Sequence, residues 1–200
     1  MMFPSHRIVA IAAAACTLVA AGSVAAQEVY VFDANHTIPL YEVSHMGFSV
    51  QRGSFTGVSG RVTLDRAAKK GAIDIVIPTN SIAPALPRML AMMKSEDFFH
   101  VEKFPTMTYK SADLEFDGDN LVGAKGELTL LGVTQPVALK IGNLKCGPNP
   151  FNKRAMCGGE ATTTIKRSEF GMKFGLPTAA GDEVKITIPF EAVRDQGGAG

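Results

Sequence analysis

Three histidines and two cysteines carry most of the reactive chemistry available after the N-terminal apolar run: His36, His45, His100, Cys146 and Cys157. Histidines can ligate a metal or haem when two or three converge, normally with supporting carboxylates or a helical i,i+4 pair. No such pair or cluster marks these three. A haem- or metal-linked redox accessory protein using His36, His45 or His100 is therefore the alternative reading. Cys146 and Cys157 are eleven positions apart in a chain that begins like an exported protein, and an even count in that setting implies one disulfide. No serine sits in a Gly-x-Ser-x-Gly setting and no phosphate-binding glycine loop is present. Glu169 is close enough to Arg167 in sequence to pair with it, but the surrounding residues read as a structural turn. No residue set argues for an enzyme.

The other distinctive group is apolar. Met89, Met92, Met93, Met107, Met156 and Met172, with Phe98, Phe99 and Phe104, supply soft and aromatic side chains suited to an irregular surface. Six of them fall in Ser81–Pro105, a stretch that breaks the period-two alternation found on either side of it. Within that stretch Ser95, Glu96 and Asp97 read as a helix start with acids in the first turn. An all-β chain with one short, methionine-rich helical insert predicts a barrel or sandwich with a cap.

The elements that must position these groups lie after residue 26. Met1 to Arg7 is a short basic start, Ile8 to Ala21 an apolar run, and Val24-Ala25-Ala26 places small residues where a signal peptidase cleaves. Residues 1–26 are thus expected to be a cleaved signal peptide, 27–195 one domain, and 196–200 a flexible glycine-rich tail. The apolar run is shorter than the roughly 20 residues of a spanning helix, so a membrane-spanning protein is not expected. The mature chain would have 200 − 26 = 174 residues, enough for one substantial core. Losing Arg7 leaves 19 basic against 19 acidic residues, which argues against nucleic acid as a partner.

Strands are expected at Glu28–Phe32, across an interrupted Thr37–Val50, at Ser54–Asp65 and at Ile73–Pro78. Further strands run over Pro105–Phe116, Leu121–Leu131, Thr134–Cys146, Ala155–Lys166 and Val184–Ala192. Asp117-Gly118-Asp119-Asn120 is a strong turn signal. Eight or nine strands with hairpin-length connections favour an antiparallel barrel, because closure removes exposed edges. Outward positions carry Arg61, Asp74, Lys110 and Lys185, unlike the lipid-facing wall of an outer-membrane barrel. An eight-stranded interior either fills with side chains or holds one small ligand, and periodicity does not choose between them.

Several motifs occur together and in order: Tyr30-Val31-Phe32-Asp33, His36-Thr37, Val43-Ser44-His45-Met46-Gly47, Gly53-Ser54-Phe55 and Gly60. Lys94-Ser95-Glu96-Asp97-Phe98-Phe99 and Lys103-Phe104-Pro105 follow. Then come Gly126-Glu127-Leu128-Thr129-Leu130-Leu131-Gly132-Val133-Thr134 with Pro136-Val137, and Lys166-Arg167-Ser168-Glu169-Phe170-Gly171. In this the chain resembles the YceI-like polyisoprenoid-binding proteins over essentially its whole mature length. The resemblance implies a lipocalin-like antiparallel β-barrel of about eight strands, exported to the periplasm, enclosing a long isoprenoid or other apolar lipid. It implies no cofactor, only an isoprenoid or quinone tail as ligand, and it favours the hollow interior. The residues expected to contact that chain are Ile38, Tyr41, Val43, Phe55, Met89, Met92, Met93, Phe98, Phe99, Met107 and Tyr109. Ala83, Leu86 and Met92 stand where the family's insert commonly carries polar groups, which makes the mouth more apolar. The Cys146/Cys157 pair lies outside the shared motifs. The sequence leaves a homodimer open.

Overall fold

In β5 (Lys70–Pro78) Ile73, Ile75 and Ile77 are buried while Asp74 between them is exposed. That alternation, repeated along the chain, curls the sheet around an apolar interior. The computed structural model describes residues 27–197. The expected leader, 1–26, and the end of the expected tail, 198–200, lie outside the described residues.

The remaining strands are β1 (Glu28–Phe32), β2 (Leu40–His45), β3 (Ser49–Phe55), β4 (Ser59–Asp65), β6 (Ile82–Pro84), β7 (Thr106–Asp117), β8 (Asn120–Leu130), β9 (Val133–Pro148), β10 (Ala155–Lys166) and β11 (Ala180–Arg194). Every ladder is antiparallel. Eight strands form a ring in the order β1-β4-β5-β7-β8-β9-β10-β11, closed by β11 pairing back to β1. The fold is thus the expected all-β, eight-stranded antiparallel barrel, with three extra strand segments and a short helical insert.

The extra segments arise where the chain breaks a strand in two. The far edge of β11 pairs with β1 at Ala192–Arg194 and with β2 at Ala180–Thr187. Between β1 and β2, Thr37 holds the gap: its hydroxyl donates to the Glu191 carbonyl at 3.1 Å and lies 3.2 Å from the Glu191 amide. Pro39, which has no N–H to offer a ladder, is buried there. β3 and β4 are separated in the same way by 56–58, and β5 and β6 by a single 3-10 turn, Thr79–Ser81. β6 pairs with β3 alone, leaving a free edge beside which the insert runs.

Two local readings are corrected. The interrupted run Thr37–Val50 contains a hairpin: β2 and β3 are joined by a tight turn at 46–48, with φ of +55° at Met46 and +76° at Gly47. Ser95 ends the insert's helix rather than starting one. Helix α1 (Leu90–Lys94) follows a 3-10 turn, Pro87–Met89, that begins with proline. The Ser95 hydroxyl donates to the Met92 carbonyl at 2.8 Å, and its own carbonyl accepts from His100 N at 2.8 Å. A serine hydroxyl can satisfy either end of a helix, so residue type alone does not give the polarity.

Cys146 and Cys157 face each other across the β9–β10 ladder and are disulfide-bonded, with Cα atoms 4.1 Å apart. Closing a loop of 11 residues contributes about 2–3 kcal/mol in the chain-entropy model. We expect the double variant Cys146→Ser/Cys157→Ser to keep the far-ultraviolet spectrum of the barrel but to melt about 5–10 °C lower.

Candidate functional site

The inward side chains do not fill the ring. They leave a cavity of about 160 Å³ in the half beside the insert and one of about 70 Å³ in the half beside the disulfide. Both present wholly apolar walls, and Pro39, Ile75, Ile77, Leu139 and Ile188 border both. The two spaces are therefore neighbouring parts of one lumen with a waist between them.

Eight of the residues expected to contact a ligand line the larger cavity: Tyr41, Val43, Phe55, Met93, Phe98, Phe99, Met107 and Tyr109. Ile38, Met89 and Met92 are not on its wall. Ile38 lies in the segment between β1 and β2, its amide bonded to the Pro189 carbonyl, and the next residue, Pro39, takes the inward position. On α1 only one face meets the barrel, and Leu90 and Met93, at i and i+3, occupy it. Met92 is consequently turned outward and exposed, and Met89 precedes the helix in the 3-10 turn.

Tyr109, a polar side chain of the lumen, is satisfied by the lumen's own wall. The buried Tyr109 hydroxyl lies 3.1 Å from the Val137 carbonyl and 3.3 Å from that of Ala124, and burial pushes its pKa up to about 12. Its ring fits because residue 126 is glycine, where a Cβ would stand 2.7 Å from the phenol oxygen. Tyr41 packs against Gly53 in the same manner, and its pKa too is raised by burial.

Among the lining residues that the sequence did not mark, Arg167 is the charged one. It is buried and borders the larger cavity, yet its guanidinium faces backbone. It donates to the carbonyls of Gly181 (2.8 Å), Met172 (3.2 Å), Phe174 (2.9 Å) and Ala180 (3.1 Å). Burial lowers its pKa and nearby Asp182 opposes that shift. Asp182 is itself partly desolvated, but bonds from the Ser168 hydroxyl and amide and the charge of Arg167 hold its carboxyl low. Arg167 thus fastens the segment 171–181 to the barrel end. Glu169 takes no part in a pair with it; Arg167–Phe170 is the structural 3-10 turn expected from the motif. The motif could have pointed to Arg167, but the long-range carbonyls it binds are set only by the fold.

The histidines do not converge. His36 lies near Glu191 and His45 pairs with Ala180, and those β11 positions are 191 − 180 = 11 residues apart, roughly 35 Å of strand. His100 sits in the insert with its ring edge-on to Phe104. His36 instead forms an exposed clasp, Nδ1 lying 2.8 Å from Asp33 Oδ2 and 3.8 Å from Glu191 Oε2. That arrangement brings potential ligand atoms of Asp33, His36 and Glu191 within 4.8 Å of one another, while His45 and His100 lie outside the cluster. Among the described residues no buried side-chain nitrogen or oxygen lacks a hydrogen-bond partner.

A closed antiparallel barrel with a wholly apolar lumen and a helical insert beside one end defines a class of hydrophobic-ligand hosts. The model of the YceI-like domain matches residues 30–192, and the chain belongs to the YceI-like family. It is 33% identical over 183 residues to a UPF0312 protein of Pectobacterium carotovorum, covering 90% of this chain and 93% of that protein. It is 33% identical over 168 residues to protein YceI of Escherichia coli O17:K52:H18, covering 82% and 85%. Among solved structures, Burkholderia cenocepacia BcnA superposes with a TM-score of 0.67 at 21% identity, covering 80% of this chain and 98% of that one. A polyisoprenoid binding domain from Saccharophagus degradans superposes with a TM-score of 0.62 at 17% identity, covering 83% and 98%.

The Asp33–His36 clasp has a definite pH signature. The hydrogen bond to Asp33, then the charges of Asp33 and Glu191, raise the His36 pKa above 6.5, and the same bond lowers that of Asp33 below 3.8. The histidine's contribution is complete below pH 6.5 and is lost as pH rises through its folded-state value. The aspartate's is present above pH 3.8 and is lost as pH falls through its own. A histidine-detected NMR titration should give a His36 midpoint above 6.5, moving back toward 6.5 in Asp33→Asn. Separately, Arg167→Met should destabilise the barrel by about 3 kcal/mol or more in denaturant melts, because it strands four carbonyls.

Proposed function

We propose that this protein is a periplasmic carrier or sequestering protein for a long apolar chain of isoprenoid type, exported by a cleaved leader at 1–26. The observation that carries this reading is the unfilled, wholly apolar lumen. Dry apolar cavities of about 150 Å³ bind benzene-sized guests. The larger chamber therefore seats about one such unit as it stands, and a longer chain would have to displace the insert and pass the waist at Ile75, Leu139 and Ile188. Each buried methylene contributes about 0.8 kcal/mol, so a tail of roughly 15 carbons gains ~12 kcal/mol before ordering costs. The barrel's part is to exclude water, and the reading assigns no group a catalytic role. The Saccharophagus degradans relative, described as polyisoprenoid binding, supports the ligand class.

Native mass spectrometry and solvent extraction of the exported protein should release a co-purified lipid. Protein that is consistently empty and also fails to take up a prenyl quinone overturns the proposal. Met93→Gln should weaken retention by about tenfold or more, since it places an amide in a dry wall. Met92→Gln, on the outer face of α1, should leave retention unchanged.

A further inference from the structure

The end of the barrel that holds the larger cavity carries an apolar rim on three segments. Hairpin 43–51 presents Met46, Phe48 and Val50, the insert presents Leu86 and Met92, and loop 171–181 presents Phe174. Phe48 is 91% exposed at the tip of a tight turn and Phe174 is 47% exposed. These segments are held together. Met46 N donates to the Ala179 carbonyl, Ala85 N donates to the Arg52 carbonyl, and the Phe174 ring packs at a tilt of 60°, 5.5 Å between centroids, against Phe98, which lines the cavity. The four carbonyls that accept from Arg167 fix loop 171–181 beneath its exposed phenylalanine. The rim is thus a built feature continuous with the cavity mouth.

The charge within its three segments is positive, with carboxylates at Glu42, Glu96, Asp97, Asp182 and Glu183 just outside them. Residues 43–51, 85–94 and 171–181 contain Arg88, Lys94 and Lys173 and no carboxylate. Below them Glu42 is neutralised by Arg52 at 2.7 Å, and Glu96 and Asp97 follow on the turn beyond Ser95. Apolar knobs on separate turns, interspersed with cations, fit the interfacial region of a bilayer, where aromatic rings and basic side chains both find favourable surroundings.

We propose that this rim docks the barrel mouth-first on the surface of an anionic phospholipid bilayer, so that an apolar chain passes between membrane and lumen without crossing water. The inference rests on the carrier reading. Docking is nonetheless measured separately from lumen contents. The mature protein is sedimented with vesicles of phosphatidylcholine alone and with added phosphatidylglycerol, at low and high salt, and the lipid content of each variant is determined by extraction.

Binding is expected to the anionic vesicles and to fall with salt. Phe48→Ser should weaken it roughly tenfold or more, the change implied by burying one phenylalanine side chain. Lys173→Glu should lower the salt sensitivity. Phe151→Ser serves as the control, because Phe151 is equally exposed but stands on the 149–154 turn at the disulfide end. No vesicle binding, binding unchanged in Phe48→Ser, or binding abolished by Phe151→Ser overturns the proposal. So does a dimer in sedimentation velocity that Phe48→Ser dissolves while vesicles remain unbound. Extracted lipid without vesicle binding refutes docking and leaves the carrier reading standing; vesicle binding by a chain that never holds lipid does the reverse.

Discussion

The architecture depends on β11 satisfying both of its edges. One edge runs against β10 along most of its length, and the other must be shared between β1 and β2. Without the β1–β11 contact the ring is an open sheet with two unpaired edges, and there is no lumen. The sharing requires a break between β1 and β2, and the chain supplies it with a buried proline and with Thr37 bonded to the β11 backbone. The same device, a strand interrupted so that its two halves pair at different places, recurs in β3/β4 and β5/β6. It adds strand segments β2, β3 and β6 at the end where the insert runs.

A hollow interior is unfavourable for stability. At about 24 cal/mol per Å³, leaving the larger chamber unfilled forgoes about 4 kcal/mol of packing. The disulfide offsets part of that from the opposite end of the barrel. Two polar side chains of the lumen wall are bonded to backbone: Tyr109 to carbonyls of the wall and Arg167 to the loop at the mouth.

Much of this was legible from residue order. The alternation in β5, β7 and β11, the turn at Gly118-Asp119 and the cysteine pair all stand where the pattern placed them, since each is decided by neighbours in sequence or by one ladder. The insert was legible as an interruption but not in its direction. Ser95 closes the helix, and on so short a helix only the barrel decides that Met93 faces inward and Met92 outward.

The sequence by itself determined the barrel class, the staple across β9 and β10 and the family motifs, because strand periodicity and turn chemistry are local properties. Only the tertiary structure decided that the inward face is left partly unfilled, that the three histidines lie apart, and that Arg167 binds four carbonyls instead of Glu169. Those outcomes depend on which distant strands become neighbours when β11 closes the ring. Side-chain volume against ring circumference, and the direction of backbone carbonyls brought in from elsewhere, are not encoded in any one stretch of residues.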